Sequence, residues 1–167
     1  MADNDRWMDQ LAEDRAARER SNRETSEEAH KSAREITTAI RRQLPSLKAR
    51  LASAAIQQTD EFRRKVELGS ELRCVYDRDE TIQVIWSRNV GVRLTIKVLP
   101  ASLDLKVYLE HGELPGATLP PADLYVNDGL LSVRINEEPV TPEEAISRLL
   151  APFFELVAES PTTRRTP

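Results

Sequence analysis

Apolar residues in the first half of the chain recur every eleven positions, and in the second half every two. Ala29, Ile40, Leu51 and Phe62 form one eleven-step series, and Ala33, Leu44, Ala55 and Val66 another. Ile36, Leu47 and Gln58 make a third, with Gln58 the single polar member. Eleven residues complete three turns of an α-helix, so the stripe stays on one face without left-handed supercoiling. The pattern predicts a helix over residues 29–69, kinked or broken at Pro45. There the ring removes a backbone donor and disfavours helical geometry at Leu44. Gly69 is its expected stop.

From Leu72 the period becomes two and predicts six strands. Leu72, Cys74 and Tyr76 alternate, then Ile82, Val84 and Trp86. The series from Val90 to Val98 is the cleanest, and Leu103 to Leu109 follows it. Leu124 and Val126 lead through Asn127-Asp128-Gly129, a tight-hairpin signal, to Leu131, Val133 and Ile135. Short polar connections imply an antiparallel meander with one buried face. A closing helix is expected to start at Thr141 as cap, with Pro142 in its first turn and Glu144 completing a capping box. Pro152 should kink it or start a second short helix.

The expected fold class is therefore α+β: a long amphipathic helical arm, a six-stranded antiparallel meander, and a C-terminal helix on one face. The divisions run 1–28 for a polar arm, 29–69 for the helix, 70–159 for the α+β domain and 160–167 for a tail without structure. The first segment either stays disordered or forms a solvated helix supported by pairs such as Asp14 with Arg18. Its large apolar residues, Trp7, Met8 and Leu11, form a small docking anchor in this reading.

Charge changes the picture in two places. Residues 1–30 carry net −4 and residues 67–167 net −6, whereas residues 31–66 carry net +6. A cationic helix between acidic segments is expected to pair internally or with another copy before it holds an outside anion. On the sheet, placing the alternating apolar residues inward leaves Arg93, Lys97, Lys106, Tyr108 and Arg134 on the opposite side. A cationic sheet face bearing an aromatic ring suits single-stranded nucleic acid through phosphate contacts and stacking.

Catalytic chemistry has little to work with. His30 and His111 are the two histidines, and neither lies in a nucleophile motif. Cys74 rules out an internal disulfide, and on the inward strand face it reads as a small buried hydrophobe. No glycine-rich phosphate loop, dinucleotide fingerprint or zinc-ligand spacing occurs, so no cofactor or metal is expected. With no membrane-spanning apolar run and no secretory leader, a cytoplasmic location is the expectation. The stripe leans on alanines and is too shallow for a membrane surface, which leaves helix pairing. The sequence thus points to a non-enzymatic interaction or adaptor protein, with Ile36, Ile40, Leu44, Leu47, Leu51 and Phe62 contacting a protein partner or another copy. The alternative is an accessory nucleic-acid binder that uses the cationic sheet face and the basic helix.

Overall fold

Seven strands follow the first helix, and each pairs antiparallel with its neighbour in sequence. The structure, a computed structural model, describes residues 2–87, 92–110 and 119–159. Its elements are α1 (Ala2–Lys65), β1 (Leu72–Tyr76), β2 (Ile82–Trp86), β3 (Val92–Leu99), β4 (Asp104–Glu110), β5 (Ala122–Asn127), β6 (Leu130–Ile135), β7 (Glu138–Val140) and α2 (Pro142–Glu159). The chain divides into two compact units, Met1–Thr38 and Ala39–Pro167.

The first unit is helical, and residues 6–38 are exposed throughout. The polar arm and the stripe expected after it are thus one helix, which begins at Ala2. An ion pair between Arg15 and Glu19, one turn apart at 3.4 Å, supports this solvated stretch.

In the second unit α1 continues through Pro45 as a single helix. Pro45 is exposed while Leu44 and Leu47 on either side are buried. The carbonyl that the proline leaves unpaired one turn back can therefore be met by water, and packing holds the helix on both sides. α2 likewise runs through Pro152 without ending. The stop of α1 is not Gly69. Glu67 takes the left-handed conformation at φ 56°, the Leu68 N–H donates to the Arg63 carbonyl at 2.9 Å, and the Glu67 N–H donates to that of Arg64 at 3.3 Å. This is a Schellman cap, with Leu68 folding back onto the core.

The strand period reads out as expected on the sheet's inner face. Leu72, Val84, Leu94, Ile96, Leu124, Val133 and Ile135 are essentially inaccessible. The β5–β6 loop is Asp128-Gly129, both at positive φ (50° and 75°), the mirror-image turn that matches strand twist. A second such turn, Asn136 at 50° and Glu137 at 65°, adds the seventh strand, β7, where six were expected. Three residues with Pro139 at the centre carry no alternation to read, and proline confines the strand to an edge.

Two helices cover the inner face. Leu51 and Ala55 from α1 and Ile146, Leu149, Leu150 and Phe153 from α2 are fully buried in one cluster with the strand residues. Phe62 and Phe154 stack at 4.3 Å with planes 6° apart, tying the helices together. The Thr141 hydroxyl accepts the Glu144 N–H at 3.2 Å, so half of the expected capping box forms. The Glu144 carboxylate instead bonds Arg148 at 2.8 Å.

Candidate interaction surfaces

The stripe expected to meet a partner is largely used within the chain. Leu44, Leu47 and Leu51 belong to the buried core, and Ile40 and Phe62 pack against it. Ile36 stands apart at 39 % exposed. The physical reason is competition: a sheet with one apolar face needs a cover, and the nearest amphipathic helix in the chain supplies it. Gln58, the polar break in the stripe, donates to the Glu143 carbonyl at 2.9 Å and so joins α1 to the start of α2. Two cations of this stretch pair internally as well. Lys48 meets Glu80 at 2.6 Å, and Arg50 forks onto both oxygens of Glu143 at 3.0 and 3.1 Å. Backbone hydrogen bonding first, and then Arg50, holds the Glu143 carboxyl below its ordinary range.

Upstream, the helix offers apolar groups to solvent. Trp7, Met8 and Leu11, the anchor read from the sequence, are about half exposed (52 %, 49 % and 56 %). Together with Ile36 they make up the exposed large apolar residues among the described residues of the first unit.

The two edges of the sheet differ. At one, the Gln43 side chain on α1 accepts the Leu131 N–H at 2.9 Å and donates to the Gly129 carbonyl. Its amide occupies the pairing slots of β6 that three-residue β7 does not reach, closing the edge as a strand would. Nothing in the apolar periodicity marks Gln43 for this role. At the other edge the Asp77 N–H bonds the Thr81 carbonyl at 3.1 Å, and the Ser87 N–H bonds that of Glu71 at 2.8 Å. Antiparallel alternation then turns the backbone groups of Leu72, Cys74 and Tyr76 away from β2. Beside Tyr76 lies a groove of about 540 Å³, lined on α1 by Ala52, Ser53, Ile56, Gln57, Asp60 and Arg64. Ile56 and Tyr76 are 39 % and 37 % exposed there. Sequence reasoning missed this surface, because Tyr76 reads as an inward residue.

The cationic sheet face is partly neutralised. Arg93 lies opposite Glu110 in register and bonds it at 3.5 Å. Arg134 lies opposite Asp123 and grips both carboxylate oxygens at 3.0 and 2.6 Å. Its guanidinium also covers the Tyr125 ring at 4.9 Å. Glu110 and Asp123 follow the outward parity of their strands and could have been read from it. Lys97 and Lys106 are both exposed and sit directly opposite each other in register, with the Lys106 ammonium 5.4 Å from the Tyr108 ring. Thr95, which strand parity sets between Arg93 and Lys97 on this face, is 1 % exposed.

Cys74 is half-buried rather than sealed, beside Thr59. Burial pushes its thiol up to about 12, the Thr59 hydroxyl pulls it down, and Asp60 adds to the rise. A thiol so protonated is a poor nucleophile at neutral pH. His111 and most of the loop that follows it lie outside the described residues. Among the described residues no cluster of His, Cys, Asp and Glu could hold a metal ion, and no helix is long and apolar enough to cross a membrane. No protein-family model, curated protein or solved structure matches the chain.

Proposed function

We propose that the chain is a non-enzymatic interaction protein of the cytoplasm. It self-associates or docks on a protein partner through the stretch of α1 ahead of Thr38, and its α+β domain presents a second binding surface. The observation that carries this reading is the exposure of Trp7, Met8, Leu11 and Ile36 on a helix whose next residues, from Ala39, are core. A long polar helix gains little stability from propensity alone, so an exposed stretch of this length is best explained by packing against something else. The contact set therefore moves from the whole expected stripe to its upstream part. Size-exclusion chromatography with light scattering on the full chain should give a mass above the monomer, and Leu11→Asp with Ile36→Asp should abolish it. A mass unmoved by both substitutions sinks the reading.

The second reading, an accessory nucleic-acid binder, draws on the unpaired opposition of Lys97 and Lys106 beside Tyr108. Like charges facing across strands repel, and a phosphate between them removes the repulsion. It predicts single-strand binding that weakens steeply with salt and is lost in Lys97→Ala with Lys106→Ala. Salt-independent retention removes it.

A further inference from the structure

We infer that the open edge of β1 is a self-pairing surface: β1 of a second copy adds to it antiparallel, about a two-fold axis at Val75. The inference rests on the interaction reading above and names the partner of the domain's second surface.

The two terminal strands of the sheet differ in what they offer a newcomer. On β7 the tight turn at Asn136-Glu137 makes Ile135 and Glu138 a hydrogen-bonded pair, so Pro139 is the residue whose backbone faces outward. It has no N–H to donate. Gln43 fills the slots of β6 beyond it. A proline and a side-chain amide thus close that edge. On β1 the ladder bonds at Glu71 and Asp77 leave the N–H and C=O groups of Cys74 and Tyr76 pointing outward. Val75 between them is 38 % exposed. Such an edge takes an extended strand, with backbone hydrogen bonds supplying affinity and side-chain pairs supplying the choice of partner.

The side chains choose a second copy. Residues 73, 75 and 77 share the outer sheet face and read cation, apolar, acid. A two-fold axis at Val75 reverses that order, so Arg73 meets Asp77 of the second copy, Val75 meets Val75, and Asp77 meets Arg73. These are non-hydrogen-bonded pairs, in which opposite side chains come closest. Arg73 is exposed and holds no acid among the described residues. Asp77 is already oriented. Its Oδ1 accepts the N–H groups of Asp79 and Thr81, both at 2.9 Å, and its Oδ2 accepts the Gln83 amide at 3.3 Å. Gln83 lies opposite Val75 in register, so the carboxylate is held on the outer face, and Oδ2 keeps a lone pair for a guanidinium.

Neighbouring registers lose this match. An axis at Arg73 sets two guanidiniums together. An axis at Cys74 sets Glu71 against Asp77 and Arg73 against Val75. That register gains two backbone hydrogen bonds over the four formed about Val75, but exchanges two opposite-charge pairs for two like-charge ones. The backbone groups it would recruit at Leu72 are otherwise met by water, so little is lost without them. On the inner face, Tyr76 of the second copy falls opposite Cys74, which lies beside Thr59. Ile56 and Asp60, within a turn of Thr59, line the groove, and the incoming ring covers it. Because β7 is closed, the assembly stops at two copies and does not grow into a fibre.

Sedimentation equilibrium of the full-length chain carrying Leu11→Asp and Ile36→Asp, which silence the helix contact, tests the edge up to about 1 mM, where short transient interfaces are populated. A monomer–dimer equilibrium without larger species is expected. Val75→Lys sets two cations together at the axis and should raise the dissociation constant roughly ten-fold. Val75→Cys in a Cys74→Ala background reads the register. Its α-carbons lie about 4.5 Å apart across the axis, within disulfide reach, so oxidised glutathione should link the copies. Arg73→Cys in the same background should stay unlinked, and so should the native Cys74, about 9 Å from its counterpart. A link through either of those sites in place of Val75→Cys, a dimer indifferent to Val75→Lys, or a monomer at every concentration overturns the inference. The helix contact is judged separately, by whether Leu11→Asp and Ile36→Asp lower the mass of the parent chain in dilute solution.

Discussion

Between Ala39 and Phe62 the stripe of α1 is closed over by a sheet and a second helix; between Trp7 and Ile36 the same phase of the same helix is exposed. The difference does not lie in periodicity, which is continuous. It lies in residue size and charge. The covered stretch supplies Leu44, Leu47 and Leu51 at successive turns, whereas the exposed one interrupts its apolar positions with Asp14, Arg18 and Asn22. A sheet face of Val, Ile and Leu excludes those three groups, because burying an unpaired charge or amide costs several kcal/mol. One repeat can thus lie in two environments, and the polar positions within it set the boundary.

The contrast can be broken most severely with one substitution made twice. Leu51→Asp places a charge in the inaccessible core and should remove at least about 4 kcal/mol of stability, unfolding the domain at room temperature. Leu11→Asp should leave urea and thermal transitions within about 0.5 kcal/mol of the parent. Equal losses at the two sites would erase the distinction between the stretches. Next in size is Gln43→Ala, which orphans the Leu131 N–H and the Gly129 carbonyl at the β6 edge. A loss of about 1–3 kcal/mol is expected, with faster amide exchange at Leu131. Unchanged exchange there would mean that water replaces the glutamine. Glu67→Gly relieves a side chain held at φ 56° and should stabilise the domain by about 0.5–1 kcal/mol in urea melts. A loss would show that the Glu67 side chain contributes more than its strained backbone costs.

Cys74 gives no effect at neutral pH and a signed one in alkali. Its thiol is raised from 9.0 to about 12 in the folded chain. Above pH 9 the unfolded chain ionises while the folded chain holds its proton, so stability falls as pH rises through that window and the effect levels off near its top. Cys74→Ala should flatten that part of the pH–stability curve, and a curve identical to the parent's would place the thiol in water.

The alternation from Leu72 to Ile135 made the meander legible, since inward residues on an antiparallel sheet repeat every two positions and short turns leave few topologies. The closing helix was legible from Thr141 and Pro142. β7 was not, because a three-residue strand has no period and its turn, Asn136-Glu137, lacks the glycine that usually marks one. The fate of Leu44, Leu47 and Leu51 was also hidden, since a stripe records that a face is covered without recording by what. Gln43 left no trace in the pattern, because a side-chain amide that completes a strand edge looks like any surface glutamine. The acids opposite Arg93 and Arg134 were within reach, and counting strand parity through Glu110 and Asp123 would have found them.

Gln43 also sets a condition on the order of events at the ribosome. The backbone groups it bonds lie 86 and 88 residues further along the chain, and the glutamate held by Arg50 lies 93 further. At the usual pace of synthesis, the covered part of α1 is made roughly 4–20 seconds before the strand and helix that cover it. During that interval Leu44, Leu47 and Leu51 are as available as Leu11 and Ile36, and in the same phase. Exposed on a nascent chain, these core residues are open to contacts that the finished domain denies them. The arrival of the last hairpin and the closing helix ends that exposure, so completing the domain also sets which stretch of the helix stays open to solvent.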